Sequence, residues 1–223
     1  MTTKHTLPFL LLLLAAGAAS LASGAGARSF RVDPKASKAT IEVGKSGAFS
    51  FAAGHSHEVA GPVSAGDVSV DLKDVSRSHV RIEIDAAALK VTGKGESPDD
   101  VPKVQQTMAG DEVLDVRRYP RIRFESTSVS VKSGAPPALD LAVAGNVTLH
   151  GVTKSVTVPV AVKIDANSVT ATGRFAVKQS EFGIKPVSVG GVVSVKDTLD
   201  VRFTIVARSA GARESDGEPG RHR

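Results

Sequence analysis

Between Gly145 and Ile164 the chain reads GNVTLHGVTKSVTVPVAVKI. Apolar residues take every second position on both sides of a short linker. Val147 and Leu149 precede it, and Val156, Val158, Val160, Val162 and Ile164 follow. A period of two gathers those side chains on one face of an extended strand, whereas a helix would spread them around its axis. The segment therefore predicts a β-hairpin with one buried face. Its connection, His150-Gly151-Val152-Thr153-Lys154, is short and contains glycine, which suits an antiparallel turn.

The same alternation recurs along the chain. Ile41 and Val43 precede a turn over residues 44–47, and Phe49, Phe51 and Ala53 follow at period two. Val68, Val70 and Leu72 mark one strand, and Val80, Ile82 and Ile84 another. Ile122 and Phe124 open a strand that continues toward Val129 and Val131. Leu139, Leu141 and Val143 lead into the hairpin. Val169, Ala171, Phe175 and Val177 form the next strand, and Leu199, Val201, Phe203 and Ile205 close the series. Eight to ten strands separated by Gly, Pro, Asp and Ser turns describe an all-β antiparallel barrel or sandwich.

One segment departs from this pattern. Ser97-Pro98-Asp99-Asp100 has the makings of a helix start, with Ser as N-cap, Pro at N1 and acids facing the positive end of the dipole. Val101, Val104 and Met108 then share a helical face, and Gly110 ends it. A single short helix inserted in a barrel is suited to cover an open end.

Residues 1–27 form a leader rather than part of the fold. Lys4 and His5 precede an apolar run from Leu7 to Ala22, and Ala25-Gly26-Ala27 fits a small-x-small cleavage site. The strongly apolar stretch is short of the roughly 20 residues a spanning helix needs. Cysteine is absent, which excludes disulfides, thiolate metal sites, a thiol nucleophile and a lipid anchor on cysteine. Loss of Lys4 with the leader lowers the formal net charge from +5 to +4. No Lys/Arg run is interleaved with aromatics, so nucleic acid is not an expected partner. Residues 208–223, RSAGARESDGEPGRHR, are rich in glycine and charge and predict a disordered tail. The folded domain is expected over residues 28–207.

Valine is abundant, while the chain has no Trp, one Tyr and eight Phe. Aliphatics of medium size on many strands suit a barrel interior that is either filled by side chains or left to hold one ligand. Composition alone favours the filled interior.

His55-Ser56-His57 is the sharpest local signal for chemistry. Two His at i and i+2 on a strand point the same way, a geometry open to Zn²⁺ or Cu²⁺. A third ligand would have to come from Glu58, His79 or His150, none of which is fixed by spacing. The simpler reading is a pair of polar groups at a strand end. If the strand is unbroken, Phe49, Phe51, Ala53, His55 and His57 share one face, with the His pair at the rim of whatever the Phe residues line. Arg117, Arg118, Arg121 and Arg123 place four cations near the helix, either a head-group site or a solvated surface. No Ser lies in a G-x-S-x-G elbow; no enzyme and no cofactor are expected.

From Phe30 to Ala207 the chain resembles the YceI-like polyisoprenoid-binding proteins. FRVDPKASKATIEV is similar to that family's first strand, and Val59-Ala60-Gly61 to its next glycine corner. Val113-Leu114-Asp115 with Tyr119-Pro120-Arg121-Ile122-Arg123-Phe124 resembles its helix-to-strand junction. The nearest matches are Val147 to Lys154, VTLHGVTK, and Gln179 to Ile184, QSEFGI. The resemblance implies an eight-stranded antiparallel lipocalin-like barrel, exported to the bacterial periplasm or secreted. It implies an apolar lumen for an isoprenoid or quinone-like lipid, transient contact with a membrane or membrane protein, and no catalysis. On this reading Phe49, Phe51, Ala53, Val80, Ile82, Ile84, Phe175 and Phe203 line the lumen. His55, His57, Arg117 and Arg118 then meet the head group at the rim. The alternative is a metal-binding envelope protein using His55 and His57.

Overall fold

The computed structural model describes residues 26–46, 56–189 and 193–209. Phe49, Phe51, Ala53 and His55 lie outside the described residues. In chain order the strands are β1 (Ala27–Val32), β2 (Lys38–Ser46), β3 (His57–Pro62), β4 (Ala65–Asp71), β5 (His79–Asp85) and β6 (Lys90–Val91). The helix α1 (Val101–Ala109) follows. Then come β7 (Arg121–Ala135), β8 (Ala138–Leu149), β9 (Val152–Ile164), β10 (Ser168–Lys178), β11 (Ser188–Val189) and β12 (Val193–Ser209).

These segments make an eight-stranded antiparallel barrel. β1 and β2 lie in succession along one edge of β12, Phe30 opposite Ser209 and Lys38 opposite Thr204. β4 pairs with β1 and β3 with β2; β5 then pairs with β4 and β6 with β3. Each of these three couples acts as one interrupted strand. The ring continues through β7, β8, β9 and β10 to β12, which closes it on β1 and β2.

The β8–β9 hairpin keeps its predicted faces. Val143 opposes Val158 and Leu141 opposes Val160, all facing inward. The connection is shorter than the sequence suggests: β9 starts at Val152, and only His150 and Gly151 turn the chain. Both have positive φ, 51° and 75°, the twist that a two-residue type I′ turn requires. A side chain at Gly151 would also collide with the Tyr119 ring, whose Cε1 would lie 2.6 Å from its Cβ.

Three other expectations need correction. The turn expected at residues 44–47 is not formed by Gly44 to Ser46, because β2 runs through them on its pairing with β12. In β7 the inward residues switch from even (Ile122, Phe124) to odd (Val129), which no regular strand permits. A register shift between Ser126 and Ser128 accounts for this. The Ser126 hydroxyl accepts the Val80 N–H at 2.9 Å, satisfying a donor beside the irregularity. Val131, the last residue before a second shift, is exposed.

The helix also starts later than Ser97. Its N-cap is Asp100, and the proline of its first turn is Pro102 rather than Pro98. Residues 97–100 form a separate turn in which the Asp100 N–H donates to the Ser97 carbonyl. The apolar face is as predicted: Val101, Val104 and Met108 pack on Val59, Leu89 and Val91. Gly110 ends the helix, its N–H donating to the Gln106 and Thr107 carbonyls.

The helix sits where the ring lacks a ladder, since β6 pairs with β3 but not with β7 among the described residues. Gln105 reaches across this edge. Its Oε1 accepts the Val91 N–H at 2.8 Å, and its Nε2 donates to the Leu89 carbonyl at 3.1 Å. One side-chain amide thus stands in for a neighbouring strand.

Acidic side chains fasten the wall from outside. Asp33 accepts from Arg208 Nε at 2.9 Å near the β1–β12 seam, and this hydrogen bond holds its carboxyl below the ordinary value of 3.8. Asp197 accepts from the Ser180 N–H and hydroxyl and is likewise held low. A carboxyl depressed in the folded state stabilises above its ordinary pKa and loses that contribution as pH falls through the folded value. Melting temperature is therefore expected to hold near neutrality and to fall as pH drops below about 4. A melting temperature constant from pH 5 to pH 2, followed by circular dichroism, would contradict this.

Candidate functional site

The barrel interior is not filled. A cavity of about 840 Å³ occupies it, within the range of small-molecule sites. The physical reason is side-chain size. Inward positions hold mainly Val, Ile, Leu and Ala, with few rings to reach across the axis. Each of the eight ring strands contributes wall residues, among them Ile41, Val68, Val80, Leu141, Val160 and Ile205.

Of the residues expected on the wall, Val80, Ile82, Ile84, Phe175 and Phe203 are there. Phe175 and Phe203 meet edge to face across β10 and β12, ring centres 6.4 Å apart. His57 also faces the cavity from the start of β3. Arg117 and Arg118 stand on the exposed turn after α1, away from the wall. The Arg118 guanidinium lies over the Tyr119 ring, 5.2 Å from its centre. Arg121 and Arg123 are both spent on Glu83 of β5. Burial tends to raise the Glu83 carboxyl, but hydrogen bonds from Arg123 and Arg121 outweigh it and hold it low.

The other candidate metal ligands are dispersed. Glu58 is paired with Lys94 at 3.0 Å. His79 Nδ1 lies 3.1 Å from the Ser126 hydroxyl, the group already engaged by Val80. His150 packs on Tyr119, ring centres 4.5 Å apart, with Nδ1 3.3 Å from the Phe182 carbonyl oxygen. Among the described residues no group of three or more His, Asp or Glu is arranged to hold a metal ion. The Ser126, His79 and Glu125 side chains superficially suggest a hydrolytic triad. Ser126, however, is buried in the sheet as an acceptor at the β7 irregularity.

Several wall residues escaped the sequence reading. Met108, Val104, Thr107, Lys103 and Asp100 bring α1 into the cavity lining, and Glu96 enters from the loop between β6 and α1. The 3.6-residue pattern announced the apolar members. A lone Glu in a Gly- and Lys-rich loop carried no such signal.

Tyr119, His150, Gly151 and Phe182 converge at one end of the barrel. Phe182 is fully buried in a cluster with Val147, Leu149, Val177 and Ile184. Among the described residues no helix is long and apolar enough to cross a membrane.

Comparison with known proteins agrees with this architecture. Residues 30–207 match the YceI-like domain model. UPF0312 proteins of Vibrio campbellii and Vibrio parahaemolyticus are each 30% identical over 142 residues, 63% of this chain. The match spans 66% of those relatives' own length, just under two thirds. Among solved structures, BcnA of Burkholderia cenocepacia superposes with a TM-score of 0.59 at 21% identity, covering 78% of this chain and 98% of that one. A polyisoprenoid-binding domain from Saccharophagus degradans, implicated in plant cell wall breakdown, gives 0.57 at 12% identity, covering 82% and 99%. At those identities the structures speak for the fold alone. The family match covers most of the chain, and the protein belongs to the YceI-like domain family.

Proposed function

We propose that this protein is an exported, periplasmic carrier that holds the chain of an isoprenoid-like amphipathic lipid in its barrel lumen and does not convert it. The observation that carries the reading is the cavity: about 840 Å³ walled by aliphatic and Phe side chains from all eight strands. Apolar chain leaving water for such a wall gains about 0.8 kcal/mol per CH₂. A prenyl tail therefore needs no strong polar contact to bind tightly. The polyisoprenoid-binding domain from Saccharophagus degradans shares the fold, which fits the same class of ligand. Val80, Ile82, Ile84, Phe175 and Phe203 would contact the chain, with His57 toward the head group. Phe49, Phe51, Ala53 and His55 remain part of the same proposal by strand parity. Export rests on the leader, with cleavage between Ala27 and Arg28.

One preparation tests both halves. Untagged protein recovered from the periplasmic fraction is expected to begin at or near Arg28 and to release about one equivalent of an isoprenoid lipid on denaturation, identified by mass spectrometry. An intact leader on membrane-bound protein would refute export. Protein devoid of lipid that also binds none on incubation would refute the carrier role.

A further inference from the structure

On the wall of the apolar cavity one buried carboxyl group makes no hydrogen bond among the described residues. The Glu96 side chain is 2% exposed and lies on the cavity wall. Neither of its oxygens makes a hydrogen bond among the described residues. Beside it stands His57, whose Nδ1 is 3.1 Å from Oε1. That is ion-pair range, but the two are out of line for a hydrogen bond, and Nδ1 is unsatisfied as well. The loop is built to place the group there. Gly93 has a φ of 76° and Gly95 of 78°, and the Glu96 N–H donates to the Gly93 carbonyl. A tight turn thus carries the side chain inward just ahead of α1.

Buried polar atoms are ordinarily satisfied, and an unmet set on a ligand cavity points to a ligand group that meets it. Carboxylate oxygens only accept, while an imidazole N–H donates. A hydroxyl does both: its hydrogen serves a Glu96 oxygen and its lone pair takes a proton donor from His57. A phosphate dianion or a carbonyl end only accepts and leaves Glu96 unmet. The wall's cations do not redress this. Lys103 is paired with Asp100 at 3.2 Å and Arg123 with Glu83 at 3.1 Å, and Lys45 is not free either.

Resting on the lumen reading, we infer that Glu96 and His57 form a head-group site selecting a lipid with a hydroxyl end, such as an isoprenoid alcohol or a hydroquinone, over its phosphate or oxidised counterpart. The test uses three ligands with one chain: geranylgeraniol, its methyl ether and geranylgeranyl phosphate. Their dissociation constants are measured by calorimetry on delipidated full-length mature protein. The alcohol is expected to bind roughly tenfold or more tighter than the ether, which has lost the donor, with the phosphate weakest. In Glu96→Leu the alcohol-to-ether ratio should fall to about one. Glu96→Gln, which keeps the shape and adds an N–H₂ donor, should narrow the gap between alcohol and phosphate. Equal binding of the three ligands by the unaltered protein, an alcohol-over-ether preference that survives in folded Glu96→Leu, or an alcohol–phosphate gap unchanged in folded Glu96→Gln overturns the inference while the lumen reading stands. Failure of all three ligands to bind overturns both.

Discussion

Replacing Ala171 by Phe is expected to weaken lipid binding about a hundredfold while leaving the barrel folded. Ala171 lines the cavity from β10, between Val162 on β9 and Ile205 on β12. A ring at that position extends into space that a bound chain would use. Displacing four chain carbons forfeits about 3 kcal/mol at about 0.8 kcal/mol per CH₂, which is roughly two decades in affinity. The added side chain meets an existing void rather than a packed wall, so the usual overpacking penalty is small. Circular dichroism and thermal melting establish the fold, and displacement of a fluorescent lipid measures binding. A folded Ala171→Phe protein with unaltered affinity would show that the chain does not use the lumen.

Phe182→Ala should have the largest effect on stability. The ring is fully buried in a three-residue-per-turn segment after β10, against Val147, Leu149, Val177 and Ile184. Removing a buried Phe side chain costs about 3–5 kcal/mol through lost transfer energy and the remaining cavity. For a domain of this size that amounts to a fall in melting temperature on the order of 10 °C. The loss should appear in urea unfolding as a lower midpoint at unchanged slope. A change below about 1 kcal/mol would mean that this end of the barrel is not part of the cooperative core.

The sequence disclosed the fold wherever the pleat alone decides which side chains face inward. In β8, β9, β10 and β12 alternation runs unbroken over the inward positions, and the structure keeps those faces. Irregular positions were less legible. The switch of parity in β7 comes from a register shift supported by a contact with another strand, the N–H of Val80 on β5 donating to the Ser126 hydroxyl. The start of α1 was misplaced because Ser97-Pro98 and Asp100 with Pro102 are both acceptable N-terminal signals. Only packing on Leu89 and Val91 chooses between them.

The lumen shows a related limit. Alternation tells which residues face inward but not whether they meet across the axis, so the abundance of small aliphatics pointed to a filled interior where the structure has an open one. Glu96 was invisible for a different reason. Its role depends on a left-handed glycine turn that brings a loop residue inside, and no periodicity registers that. Arg117 and Arg118 illustrate the reverse case: proximity in sequence to the cavity-lining helix did not bring them onto its wall.

The amide of Gln105 has a bearing on how this chain stays dispersed. An unpaired strand edge is a template on which another molecule can add a strand, and proteins guard such edges to remain dispersed. Here β6 is two residues long, its Val91 N–H and the Leu89 carbonyl just before it are already occupied by Gln105, and α1 lies across it. Intermolecular pairing would have to displace both a side chain and a packed helix. With no cysteine to cross-link the wall, this glutamine is the device by which the incomplete seam at β6 is kept from offering an adhesive edge to neighbouring molecules.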